Sequence, residues 1–244
     1  VDDVFWKPLM TEETLSFLEF LSIREQGVLL SPQFDLVKCK ADGFPILFTT
    51  GGDVTSKGAR EVLEALGRIH TSNPTLPWIY LLKTWPAAGS LRCSADELDL
   101  ADKLGIADRI RYVVGEYSKE FLRGLMNLCD IYVAPSRSEG FGLPHVEAQM
   151  CGKPVIGLSG NASGETIIDG KTGFIVSADV VSHQPKANID HLTEILTTLI
   201  SDTSVRTKLG EEARVHAQNT YNPKTIAQQF LDIFSRPDFQ TLRL

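Results

Sequence analysis

Residues Asp130 to Leu158 read DIYVAPSRSEGFGLPHVEAQMCGKPVIGL. DIYVAP (130–135) and PVIGL (154–158) are short apolar runs bounded by turn residues, each with the length and branched content of a buried strand. Between them LPHVEAQMC has helical spacing, with Pro144 near the first turn and Gly152 just past the end, where proline and glycine start and stop helices. SRSEGFG joins the first strand to the helix. Strand, helix and strand in so short a span imply a right-handed crossover, and the loop at the carboxyl end of the first strand is where parallel α/β sheets bind ligands.

The flanking sequence repeats this pattern. PILFTT (45–50), WIYLLK (78–83), IRYVV (110–114) and GFIV (173–176) read as further strands. GAREVLEALGRIH places Val62, Leu63, Leu66 and Ile69 on one helical face, and SADELDLADKLG and SKEFLRGLMNL show similar spacing. Residues 44–188 are therefore expected to form a Rossmann-like α/β domain, a parallel sheet with helices on both faces. Residues 189–244 carry three helical stretches without strands, the last with Pro223 at its start, and are expected to pack on that domain. Residues 1–43 are expected to be a junction segment with an extra helix, TEETLSFLEFL, N-capped by Thr11; the remainder to Gly43 shows no clear period.

Composition narrows the function. With 244 residues, 43% hydrophobic, the chain can bury a sizeable core, and its net charge of -7 argues against a nucleic-acid or anionic-membrane surface. Cys39, Cys93, Cys129 and Cys151 are widely spaced, with no C-x-x-C pair, and read as reduced thiols rather than a metal or disulfide framework. VDDVFWKP lacks the order of a signal peptide and no apolar run approaches the roughly 18 residues of a membrane span, so a cytoplasmic location is expected.

Glu139 and Glu147 flank the Gly-Phe-Gly of the 136–142 loop. Gly140 and Gly142 let the backbone approach a ligand, and the first-turn N–H groups of the following helix favour a phosphate. Two carboxylates beside such a site repel phosphate, so on a shared ligand they must meet its neutral parts, and an ionised carboxylate suits vicinal hydroxyls. A nucleoside diphosphate sugar, with a sugar at each end and phosphates between, satisfies both acids and the helix terminus.

PSRSEGFGLPHVEAQMCGKPVI followed by SGETIIDGKTGFIV resembles the donor-site signature of the retaining GT-B glycosyltransferases of the glycosyl transferases group 1 family. GGDVTSKGAREVLEALGRI resembles the family's first strand-loop-helix with its phosphate-binding lysine, ADKLGIADRIRYVVGEYSKEFLRGLMNLCDIYVAPS resembles the run into the motif, and VDDVFWKP resembles the junction before the family's second domain. The resemblance covers residues 44–235 and the first few, and implies one half of a GT-B fold, the C-terminal donor-binding half of a two-domain enzyme, inactive alone.

That resemblance implies that Glu139 binds hydroxyls of the transferred sugar and Glu147 the ribose. Lys57 and the backbone of Gly140, Phe141, Gly142 and Leu143 would hold the diphosphate, with Glu139 and Lys57 taking the catalytic parts, while Gly115, Glu116 and Tyr117 would lie by the base. The donor would be a UDP-sugar or GDP-sugar, used without an obligatory metal. The acceptor would sit on the missing N-terminal domain, to which any membrane association is also left. One departure stands out: Gly52, followed by Asp53, occupies the position where the family commonly has an arginine, which leaves Lys57 as the only basic side chain the sequence assigns to the diphosphate.

Other readings stand beside this one. Each glutamate is, taken singly, an ordinary solvated or helix-end acid, and Lys57 an ordinary surface lysine. His145 is expected at the helix start or in solvent rather than in catalysis, and Glu165 resembles a recurrent family glutamate with a structural part. A degenerate, non-catalytic nucleotide-sugar module, or a sugar-nucleotide epimerase, would share the fold.

Overall fold

A computed structural model describes residues 1–10, 12–14, 16–17, 28–29, 36–51, 56–84, 97–114, 117–181 and 184–236. Its elements begin with β1 (Val28–Leu29), α1 (Leu36–Ala41), β2 (Ile46–Thr50), α2 (Ala59–Ser72), β3 (Ile79–Thr84) and β4 (Ile110–Val114). Next come α3 (Lys119–Leu128), β5 (Ile131–Val133), α4 (Leu143–Met150), β6 (Val155–Leu158), α5 (Ser163–Thr166) and β7 (Gly173–Val176). The chain continues through β8 (Ala178–Val181), β9 (Gln184–Ala187), α6 (Ile189–Ser201), α7 (Thr203–Tyr221) and α8 (Pro223–Phe234). Residues 12–14, 16–17 and 97–103 are also helical.

The sheet runs β1-β4-β3-β2-β5-β6-β7, with β2 to β7 mutually parallel and β1 antiparallel on β4. All six strands expected from the sequence are these parallel strands. They are covered on both faces because their side chains are apolar on both. Ile46 and Phe48 of β2 and Ile79 and Leu81 of β3 belong to one core, with Phe121, Leu125, Val146 and Met150. Leu47, Tyr80 and Leu82 belong to the other, with Val62, Leu63, Leu66 and Ile69 of α2. Parallel strands sandwiched by helices need this continuous hydrophobicity in place of an in-out alternation.

In chain order the six parallel strands lie 3-2-1-4-5-6, so the order reverses between β2 and β5, which pair Leu47 with Ile131 and Phe48 with Tyr132. The carboxyl ends of these two strands open on the switch-point crevice. Elsewhere, α6 packs on α2 with an Arg68–Asp190 ion pair, and α7 packs on α4, close enough that a Cβ on Gly210 would overlap the carbonyl of Gly152.

Some structure was not visible in the sequence. α1 lies in the segment without a clear period and is held from a distance: Lys40 Nζ pairs with Asp130 at 2.7 Å, and Asp130 Oδ2 accepts the Ile46 amide at 2.8 Å. The β8–β9 hairpin was equally silent, its partners including Asp179, Lys186 and Pro185. Thr11 lies outside the described residues; the Glu13 carboxylate accepts the Met10 amide at 2.9 Å, and the Met10 carbonyl accepts the Thr14 amide at 3.0 Å. Among the described residues no helix is long and apolar enough to cross a membrane.

Candidate functional site

β2 and β5 deliver their loops side by side, and the backbone stitches them together. The Arg137 amide donates to the Ser56 carbonyl at 2.9 Å, and the Arg137 guanidinium reaches Glu61 in the first turn of α2 at 3.0 Å. Gly58, at φ 76°, packs so tightly that a Cβ there would lie 2.6 Å from the Pro135 carbonyl oxygen. Glycine is required at that contact by both its handedness and its lack of a side chain. The consequence is an ion pair across the switch point: Lys57 Nζ donates to Glu139 Oε2 at 2.7 Å, both side chains largely withdrawn from solvent. Behind it, Asn161 Nδ2 donates to the Ser136 carbonyl at 2.7 Å and supports the same loop from the end of β6.

Burial pushes the Glu139 carboxyl up, but its hydrogen bond to Lys57 and the Lys57 charge outweigh that and hold it below the usual carboxylate range. His145 is buried in the first turn of α4, its ring 6.1 Å from that of Tyr132, and burial pushes its pKa down to about 4, so it is neutral at pH 7. Of the two places expected for His145, the helix start is the one observed. Its Nδ1 faces Gly142, where a Cβ would come within 2.5 Å, so the loop and helix start fit only with glycine at 142 (φ 87°).

Beside the ion pair lies a cavity of about 550 Å³. Lys57, Thr50, Gly51, Lys83 and Glu147 supply its polar lining, and Trp6, Tyr117, Leu122, Met126 and Pro144 its apolar walls. Tyr117 stacks on Phe121 with centroids 4.1 Å apart and 15° between planes, which fixes the ring against α3. Trp6 is held by the segment around it: Asn127 accepts the Leu9 amide at 2.8 Å and donates to the Lys7 carbonyl at 3.2 Å, while Arg123 covers the Phe5 ring at 4.9 Å. Glu147, one turn into α4, is raised by burial to about 7, with Lys119 pulling the other way.

The sequence-selected residues thus fall into three groups. Lys57, Glu147 and Tyr117 line one cavity, and Glu139 joins them through Lys57. Gly140, Phe141, Gly142 and Leu143 form the loop and helix start next to it; Phe141 and Leu143 are 41% and 56% exposed, and Gly142 brings no side chain to occupy the first-turn amides of α4. Gly52, Asp53, Gly115 and Glu116 lie outside the described residues. Glu165 is exposed on α5, where its carbonyl accepts the Tyr221 hydroxyl at 2.8 Å. Sequence reasoning missed Trp6 and Lys83. Lys83 carried a readable signal, a lysine closing an otherwise apolar strand at its carboxyl end. Among the described residues no cluster of His, Cys, Asp or Glu is placed to hold a metal ion.

The arrangement offers an ammonium and glycine-rich backbone for an anion, two carboxylates in different protonation environments for hydroxyls, and an apolar slot for a flat ring. Comparison with known proteins bears on the family and the fold. The profile of the family described as "Glycosyl transferases group 1" matches residues 37–216. The chain is 27% identical over 178 residues to a D-inositol 3-phosphate glycosyltransferase of Corynebacterium urealyticum, covering 73% of this chain but 40% of that relative's length. In fold it is similar to the C-terminal domain of a glycosyl transferase group 1 protein, LpcC, of Francisella tularensis (TM-score 0.69, 19% identity, 91% of this chain and 99% of that one). It is also similar to Anabaena Alr3699/HepE, solved with UDP and glucose (TM-score 0.73, 19% identity, 96% of this chain and 55% of that one).

Proposed function

Since the chain belongs to the glycosyl transferases group 1 family, we propose that it binds a nucleoside diphosphate sugar at the β2/β5 switch point and serves as the donor half of a retaining glycosyltransferase of the hexosyl type. The observation that carries this reading is the Lys57–Glu139 pair set beside a cavity that also contains Glu147 and Tyr117. In it, residues 44–188 are the donor-binding domain, 189–244 helices packed on it, and 1–43 the junction to an acceptor-binding domain. Lys57 and the Gly140–Leu143 backbone meet the diphosphate and stabilise the charge that grows on it as the bond to the anomeric carbon breaks. Glu139 orders the sugar hydroxyls, Glu147 the ribose, and Tyr117 borders the base. No metal is assigned a part, and the donor is a UDP-sugar or GDP-sugar.

A thermal-shift and calorimetric panel of UDP, GDP, ADP and their sugars tests this directly. One nucleotide family should raise the melting temperature in a concentration-dependent way, by mass action. The chain alone should bind donor and yet transfer to no acceptor, because orienting the second substrate supplies a large part of such rate enhancements. No stabilisation by any nucleotide sinks the donor-site reading; transfer by the chain alone sinks the half-enzyme reading; donor recovered with an inverted ring carbon would favour an epimerase.

Glu147 gives the site a pH signature. Its folded pKa, near 7, lies above the ordinary 4.5, so at pH 6 the carboxyl is mostly protonated and accepts ribose hydroxyls poorly. Nucleotide affinity should therefore rise about tenfold from pH 6 to pH 8 beyond the change caused by the phosphate's own titration. Glu147→Gln, which keeps only the phosphate's titration, should show the smaller slope and weaker binding even of nucleotides without sugar. Equal slopes for the two proteins would remove Glu147 from the ribose. For stability the sign is opposite: protons bound by folded Glu147 and not by the unfolded chain are lost between pH 4.5 and 7, so its contribution falls as pH rises through that window.

A further inference from the structure

In β3, Ile79 and Leu81 project into the core that contains Phe121 and Met126, whereas Tyr80 and Leu82 project into the other. Strand alternation puts Lys83 on the face of Ile79 and Leu81, the face on which the cavity opens. Its side chain is 5% exposed and lines that cavity with Lys57, Thr50, Gly51 and Glu147. The Lys83 carbonyl accepts the Gly51 amide at 2.7 Å, so the start of the loop leading to Lys57 is tied to the end of β3. An incoming diphosphate carries at least two negative charges, more than the single ammonium of Lys57 balances.

We propose that Lys83 is a second diphosphate-binding cation of this site, reaching the phosphates from the end of β3 while Lys57 reaches them from the loop after β2. The proposal rests on the nucleotide-sugar reading and deepens it: it supplies, from a different strand, the charge that Gly52 does not bring. A compact ammonium on a long stem suits this role, since it can meet phosphate as a point charge without bidentate geometry.

The test is a set of calorimetric titrations of the chain with UDP, GDP, the matching nucleosides and inorganic pyrophosphate, on wild type, Lys83→Met, Lys83→Arg and Lys57→Ala. Lys83→Met should lose roughly ten- to hundredfold in affinity for the nucleoside diphosphate and for pyrophosphate and little for the nucleoside, as expected when one charge-assisted hydrogen bond is lost. Lys83→Arg, which keeps the charge, should stay much closer to wild type. If Lys83→Met does not fold by circular dichroism, Lys83→Gln is read in the same way. Diphosphate binding unchanged in the neutral variant but lost in Lys57→Ala overturns the proposal and leaves the nucleotide reading standing. Equal losses for nucleoside and diphosphate make Lys83 a shape-keeping residue and also overturn it. A wild-type chain that binds no nucleoside diphosphate removes both.

Discussion

Among the described glycines, Gly173→Ala should cost the most stability, about 4 kcal/mol or more, which is a large share of a domain's total. Gly173 opens β7 at φ 154° and pairs with Val155 of β6, and its Cβ would overlap the Val155 carbonyl oxygen, with the carbonyl carbon at 2.7 Å. Both neighbours are backbone, so no side chain can turn aside; β7 must move away from β6 and break its ladder. Gly170→Ala is the control, with φ 70° but nothing within 4 Å of the added carbon. It should show only the left-handed backbone cost of about 1–2 kcal/mol. Urea unfolding of the three proteins separates clash from backbone handedness, and comparable losses in the two variants would mean that the β6–β7 approach is looser than described.

Lys57→Ala should lower affinity for a nucleoside diphosphate roughly ten- to hundredfold, the loss expected for a charge-assisted hydrogen bond. Its partner should behave with the opposite sign. Glu139 occupies Lys57 at 2.7 Å, so a phosphate must displace it. Glu139→Gln removes that competitor and should tighten binding of the plain diphosphate by roughly two- to fivefold, the range for a partly exposed ion pair, while weakening the sugar-bearing ligand through lost hydroxyl contacts. Calorimetry with diphosphate and nucleotide sugar on each variant reads both signs. Parallel losses for the two ligands in Glu139→Gln would show that Glu139 does not discriminate sugar from phosphate.

The sheet was legible because each of its parallel strands is a largely apolar run, a pattern set by burial on two faces and hence by local sequence. The helices after 189 were legible for the same reason, each carrying a period and a start: Asn188, Asp202 and Asn222 all cap with their side chains. Apart from the β8–β9 hairpin, what escaped was held by distance. β1 has two residues and a partner in β4, α1 is anchored by an ion pair 90 residues away, and Trp6 is set at the cavity by Asn127, which grips the backbone just after it at Lys7 and Leu9. The placement of Glu139 shows the same limit from the other side. Its residue type announced hydroxyl chemistry, but nothing in the linear order said that its resting partner would be Lys57, since that follows from the neighbouring of β2 and β5.

The cavity has two origins. Most of its lining falls within residues 37–216, the span shared with the family profile, but the Trp6 wall comes from outside that span. A substitution at Trp6 would reshape the chamber without touching Lys57, Glu139 or Glu147, so the shape of the chamber and its charged groups can be altered separately.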